Sequence, residues 1–246
     1  MNEATGSPGA ALRPGTVAAW DVPTRLFKWA LVLLVLLAWV SHRYGDVTLT
    51  WHKWNGYAIL VLLVFRLLWG LVGSSTARFA AWVPSPGRSL RYGLDLLRRN
   101  QRRPYLSHNP LGALMILALL LLLSGEAVSG LFTVDSNGIF GGPFAQLDPM
   151  EDPTPLQRRL SAFHHGAFNY LLALVGIHVA VNLTYQFIKR DPVVQAMITG
   201  RKPVEDFADQ PEMVRPATLW LRAALCFGGA AAIVLGGLRY FGGSLS

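Results

Sequence analysis

Cysteine is almost absent from this chain. Its 246 residues include one, Cys226, set in an apolar block near the C-terminus. A single thiol closes no disulfide within the chain and builds no Cys-based zinc or iron–sulfur centre. Charge is scarce as well. Asp, Glu, Lys and Arg together make 15% of the residues against 52% apolar ones, and the mean hydropathy is +0.35. Apolar residues fall in long unbroken blocks with no alternation, which points to an integral membrane protein. Basic residues outnumber acidic ones, 22 to 14, for a formal charge of +8. They flank the apolar blocks, as membrane topology requires, so the excess is no sign of nucleic-acid binding. Internal repeats and low-complexity tracts are missing too.

Five blocks, near 26–43, 54–73, 110–134, 162–188 and 217–241, have the roughly 20 residues that cross a hydrocarbon core of about 30 Å as a helix. The first 20 residues are polar and rich in Pro, Gly and Ala. They read as a disordered tail and not as a cleaved signal peptide. With the N-terminus inside, the tail and the 74–109 and 189–216 connections hold 15 Lys and Arg, and the other side holds five. The outer 135–160 connection adds Asp135, Asp148, Glu151 and Asp152. The positive-inside rule then puts the N-terminus in the cytoplasm and the C-terminus outside. The inner stretch "GRSLRYGLDLLRRNQRR" spaces Leu90, Leu94 and Leu97 helically among arginines, as an amphipathic helix on anionic headgroups would. Trp20, Trp29, Trp51, Trp54 and Trp82 read as interfacial belts.

Depth organises the histidines. His52, where the second span enters from outside, shares a level with His164, where the fourth span enters. His178 follows His164 by 14 residues, which is about 40° short of four turns and about 21 Å deeper. The pair therefore stacks on one face near opposite leaflets. His165 points roughly 140° from His178 and is the weaker ligand candidate. His42 lies at the outer level and would at most assist there. The residue that should face His178 at the inner level is Lys28, in the first turn of the first span. Two imidazoles at one depth, with a second site below, suit two haems held on edge in a bundle, because each iron needs axial ligands from opposite sides. The Cys-x-x-Cys-His attachment motif is missing, so such haems would be bound non-covalently.

The segments "WDVPTRLFKWALVLL", "WHKWNGYAILVLLVFRLLWGLVGS", "ARFAAWV", "YLSHNPLGALMILALLLLLSGEAVSGLF", "FHHGAFNYLLALVGIHVAVNLTYQFIK" and "AMITGRK" together resemble the bacterial cytochrome b561 family, related to the cytochrome b subunit of nickel–iron hydrogenases. The resemblance covers roughly residues 18–203, in order and with the expected spacing. It implies a four-helix bundle that binds two b haems and moves electrons between quinone and a redox partner. It also implies His52 and His164 as outer-haem ligands and His178 as one inner ligand. The family's fourth ligand is the histidine of "RLFHW", and this chain reads "RLFKW" there. Three arrangements answer that substitution. Lys28 ligates the inner iron as a neutral amine, favoured by burial and by the iron's charge; or it snorkels to the headgroups and leaves that iron five-coordinate or water-bound; or the inner haem is missing.

Arg66, 14 residues after His52 on the same face, is placed to pair with a haem propionate, and Arg25 is a weaker candidate of the same kind. Glu126 lies within the third span, where an uncompensated carboxylate is costly; protonation, pairing and quinone proton transfer all remain open for it. His108 in "SHNPLG" reads as a cap or loop residue. The Gly/Ala-rich fifth segment reads as a peripheral helix for assembly with a partner subunit or a second copy.

The expectation is thus an all-α integral membrane protein. A four-helix bundle with two haems occupies 21–203, after a tail over 1–20, and a linker and fifth transmembrane helix fill 204–246. Its expected place is the bacterial inner membrane, passing electrons between the quinone pool and a periplasmic redox protein such as a c-type cytochrome. A stand-alone oxidoreductase acting on a small species such as superoxide is the rival, and a haem-free transporter with a His and Lys relay is a third class.

Overall fold

The computed structural model describes residues 15–44, 48–98, 103–134, 141–145 and 153–241. Five long helices match the five expected spans: α1 (Val22–Arg43), α2 (Thr50–Val72), α5 (Pro110–Gly130), α6 (Pro155–Leu183) and α8 (Leu219–Tyr240). Each is long and apolar enough to cross a membrane. Shorter pieces join them: β1 (Thr16–Ala18), α3 (Phe79–Trp82), α4 (Pro86–Leu97), a π-helical turn at Thr184–Ile188, α7 (Val193–Thr199) and β2 (Arg201–Pro203).

The helix starts are written in the sequence. Asp21, Asn109 and Thr154 each stand in extended backbone before a first-turn proline, and their side chains accept from the N–H groups of Thr24, Gly112 and Gln157. Thr154 and Gln157 close a reciprocal capping box. Such caps satisfy orphan N–H groups that would otherwise cost free energy at a membrane boundary.

Helix α2 is the centre of the bundle. It packs against α1, α5 and α8, while α5 pairs with α6. Ten α2 residues are buried, so lipid reaches it least. Phe27, Phe65 and Trp69 form one core cluster with Cys226 and Ala230; Ile59 and Leu63 form another with Leu123 and Leu171. One face of α8 is therefore spent within the chain, with Ala230 fully buried against the α2 cluster, while Gly228 and Gly236 stay exposed. Leucines on the outer side of α1, such as Leu33 and Leu36, stay exposed for lipid.

Two expected irregular regions are ordered. Of the 1–20 tail, residues 1–14 lie outside the described residues, but Thr16–Ala18 pairs antiparallel with Arg201–Pro203. The expected linker after residue 203 packs against that sheet and the inner connections. Met213 donates its N–H to the Ala18 carbonyl at 2.9 Å, and Asp209 accepts from the Leu106 and Ser107 amides at 2.7 and 3.0 Å. Polar composition misled the reading, because these segments gain backbone partners that only the tertiary structure supplies. The arginine-rich inner stretch does form α4, with Leu90 and Leu94 exposed and Tyr92 buried. The acidic residues Asp135, Asp148, Glu151 and Asp152 lie outside the described residues.

Asp21 fastens the end of the bundle expected to be inner. It is 1% exposed, caps α1 at 2.6 Å from the Thr24 N–H, and accepts the hydroxyl of buried Ser74 beyond α2. Trp69 Nε1 donates to Thr24 Oγ1 at 3.1 Å in the same knot. Asp21→Ala leaves two buried donors unmatched and is expected to destabilise the fold by about 1–3 kcal/mol. Thermal unfolding in detergent, followed by circular dichroism, reads this as a lowered midpoint; an unchanged midpoint would show that the knot is not a determinant of stability.

Candidate functional site

At the end of the bundle expected to be outer, the two helix pairs each present one imidazole to a shared cavity. His52, on α2, has Nδ1 2.9 Å from the Ala38 carbonyl of α1; His164, on α6, has Nδ1 2.8 Å from the Glu126 carbonyl of α5. Each ring is thus fixed by its partner helix through Nδ1, which would leave Nε2 to meet a ligand. The rings lie 6.0 Å apart between centroids. The cavity holds about 1160 Å³ of atom-free space, part of it open to solvent, and is lined by His42, Lys53, Glu126, Gly130, Gly142 and His165 besides the two rings. His42 stands 5.4 Å from His52, as its expected level requires. His165 also lines the cavity, although helix arithmetic turned it away from the His178 face.

Glycine makes the room. A Cβ on Gly130 would lie 2.8 Å from His164 Cε1, so the ring sits where a side chain would be. Gly142 lies against the Gly130 and Leu131 carbonyls, too close for a Cβ, and lets the 141–145 segment fold over the end of α5.

At the inner end the arrangement is less simple. Lys28 is half-buried, with its amine 3.6 Å from the Trp20 ring centroid and 3.1 Å from Met197 Sδ. Its hydrogen-bond acceptor is therefore the thioether of α7, not His178. His178 Nε2 lies 3.1 Å from Asn182 Nδ2 on its own helix. Arg66 is 5% exposed, with its guanidinium 4.7 Å from the Phe79 ring centroid and 5.6 Å from that of Trp82; its Nη1 is buried with no partner. Arg25 donates to the Ile198 carbonyl, while its Nε is likewise buried without a partner.

Two residues depart from their expected interfacial role, and a third takes the loop alternative of the two expected for it. Trp20 and Trp82 are buried, at 5% and 4% exposure, and are not interfacial. They flank His108, at 5.0 and 5.1 Å between ring centroids. The cap of α5 is Asn109, the residue before the first-turn proline, which leaves His108 for this aromatic niche. Burial, and then the cations of Lys28 and Arg66, hold the His108 imidazole well below its ordinary value, so it is neutral. Met197 carried no sequence signal of a role beside Lys28. The "SHNP" order could have assigned the cap to Asn109.

A family model described as prokaryotic cytochrome b561 matches residues 19–200. The chain belongs to that family, and is a multi-pass, haem-binding b-type cytochrome of membrane electron transport. It is similar to a protein named "Probable Ni/Fe-hydrogenase B-type cytochrome subunit" from Rhizobium leguminosarum bv. viciae, with 24% identity over 81% of this chain and 94% of the relative. A protein of the same name from Azotobacter vinelandii is 22% identical over 80% of this chain and 91% of its own length. No solved structure gives a significant match.

The outer pair fits haem b. Two metal–imidazole bonds of about 2 Å plus two ring radii sum to roughly 6 Å between centroids, and 6.0 Å is found. Among the described residues no three His, Cys, Asp or Glu side chains converge as a bare-ion site would need. Two opposed imidazoles are the complement of an iron whose equatorial positions a porphyrin fills. The inner end offers an imidazole, an amine and two buried guanidinium nitrogens in want of acceptors, a donor set and counter-charge that suit a second haem with its propionates.

Gly130→Ala is expected to displace His164, since the new methyl would meet a ring already anchored through Nδ1. Haem content measured by pyridine haemochromogen should fall by about half if the outer site alone empties, because ring placement governs ligation. A variant with full haem content would show that the ring yields without cost.

Proposed function

We propose that this cytochrome passes electrons across a bacterial inner membrane between the quinone pool and a periplasmic redox protein, a c-type cytochrome or similar carrier. Its N-terminus is cytoplasmic and its C-terminus periplasmic on this reading. The observation that carries it is the outer imidazole pair, fixed through Nδ1 and set at haem-spanning distance. His52 and His164 would hold the outer haem, and His178 with Lys28 the inner one. Arg66, and less directly Arg25, would meet propionates with their unpartnered nitrogens. Bound haem supplies one-electron chemistry. The protein orients the ligands, lines the cavity largely with apolar groups and keeps counter-charge at the inner end. The 15 to five asymmetry of Lys and Arg supports the orientation. Two relatives named as probable hydrogenase cytochrome subunits support service to a partner redox protein. Contact between two copies through α8 would have to use its outward side, around Gly228 and Gly236, because α2 covers the Cys226 and Ala230 face.

The purified protein should be red, with two non-covalent b haems per chain. His52→Ala and His164→Ala should each remove the outer haem and share one visible spectrum. A colourless protein from haem-replete cells would sink the reading, and a His52→Ala spectrum matching that of His178→Ala would refute the pairing.

Lys28 has its own test. For the amine to reach an iron it must leave Met197 and the Trp20 face. If it ligates, Lys28→Ala converts the inner haem from low spin to high spin in electron paramagnetic resonance, and Lys28→His restores six-coordination. Ferric signals unchanged in Lys28→Ala would exclude the lysine as a ligand.

A further inference from the structure

Glu126 is the one acidic side chain in α5, and it is buried at 8% exposure within a membrane span. A carboxylate there is expensive and calls for a function. Its main-chain carbonyl accepts from His164 Nδ1 at 2.8 Å and from the Ser129 hydroxyl at 3.0 Å. Its carboxylate Oε1 lies 3.6 Å from the same His164 nitrogen, while Oε2 is buried without a hydrogen-bond partner. One residue thus meets the distal edge of one imidazole twice, once with a fixed dipole and once with an acid group.

We infer that Glu126 is a positioning residue that sets the reduction potential of the outer haem, by orienting His164 through its carbonyl and placing a carboxylate beside the same ring nitrogen. The inference rests on the reading of His164 as an iron ligand. A histidine that donates its second N–H to a carbonyl or carboxylate is a stronger base toward its metal. The ferric state carries one more positive charge than the ferrous, so a more basic ligand favours it and lowers the potential, as does the charge of Glu126 when that acid is ionised.

The test uses the intact holoprotein in nanodiscs and redox titration followed by visible absorbance. Glu126→Gln keeps the main-chain carbonyl and the side-chain volume but removes the acid. The outer haem's midpoint should rise while the inner haem's stays in place, with haem content unchanged and the ferric resonance of the outer haem shifted. Glu126→Asp, which withdraws the acid by one methylene, should give a smaller shift in the same direction. Full haem content with an unshifted outer midpoint in Glu126→Gln overturns the assignment to Glu126 and leaves the haem reading intact. A colourless wild-type protein overturns both. If Glu126→Gln loses the outer haem, Glu126→Asp decides: a raised midpoint supports the inference, and a wild-type midpoint with full haem refutes it.

Discussion

Two main-chain carbonyls, those of Ala38 and Glu126, hold the outer site together. A carbonyl within a helix ordinarily serves that helix, yet each has a second lone pair and here it accepts an imidazole from the neighbouring helix. The bond does two things at once. It locks α1 to α2 and α5 to α6, and it fixes which ring edge faces the cavity. Because α2 and α5 then pack against one another, the two half-sites come into opposition without either histidine needing a partner across the gap. The cavity is a product of helix pairing, and the glycines at 130 and 142 only widen it.

The inner end is organised by a different constraint, the burial of cations in an apolar slab. Arg66 and Lys28 are met mainly by aromatic faces and a thioether, with Asp21 as the nearby anion that also caps α1. Aromatic faces attract cations and cost little to desolvate. They do not supply the fixed hydrogen bonds that a guanidinium prefers, which leaves Arg66 Nη1 and Arg25 Nε available to an anion. Rigid imidazoles define one end of the bundle and loosely met cations the other, an asymmetry that suits one end to tight ligation and the other to accommodation.

The spans and the shared level of His52 and His164 were legible in the sequence, since apolar length, helix period and rise set them, whereas α1, α2 and α6 start four to seven residues ahead of the expected blocks. Such features are local, or repeat with a fixed geometry. What escaped was decided by residues far apart in the chain. Trp20 and Trp82 looked like interfacial aromatics, because nothing near them in sequence shows that His108 lies between them. The strand at Thr16–Ala18 looked like tail, because its partner is some 185 residues away. Met197 beside Lys28 is of the same kind. Side-chain chemistry at a known depth could be read; the identity of a neighbour across the bundle could not.

That pairing of Thr16–Ala18 with Arg201–Pro203 bears on how the protein is made. Neighbouring helices such as α1 and α2 can pair as soon as both have left the ribosome, since the chain between them is short. The clasp at the inner end cannot form until α7 and the strand after it have emerged, because non-local contacts must wait for their partner segment. Through most of synthesis the inner end therefore lacks its seal, while the outer imidazole pair is complete once α6 is threaded. A chain stopped before residue 201 would hold the outer histidines and have no floor. The clasp is thus a late closure on a bundle whose first four spans already stand, and only α8, which packs on α2, follows it.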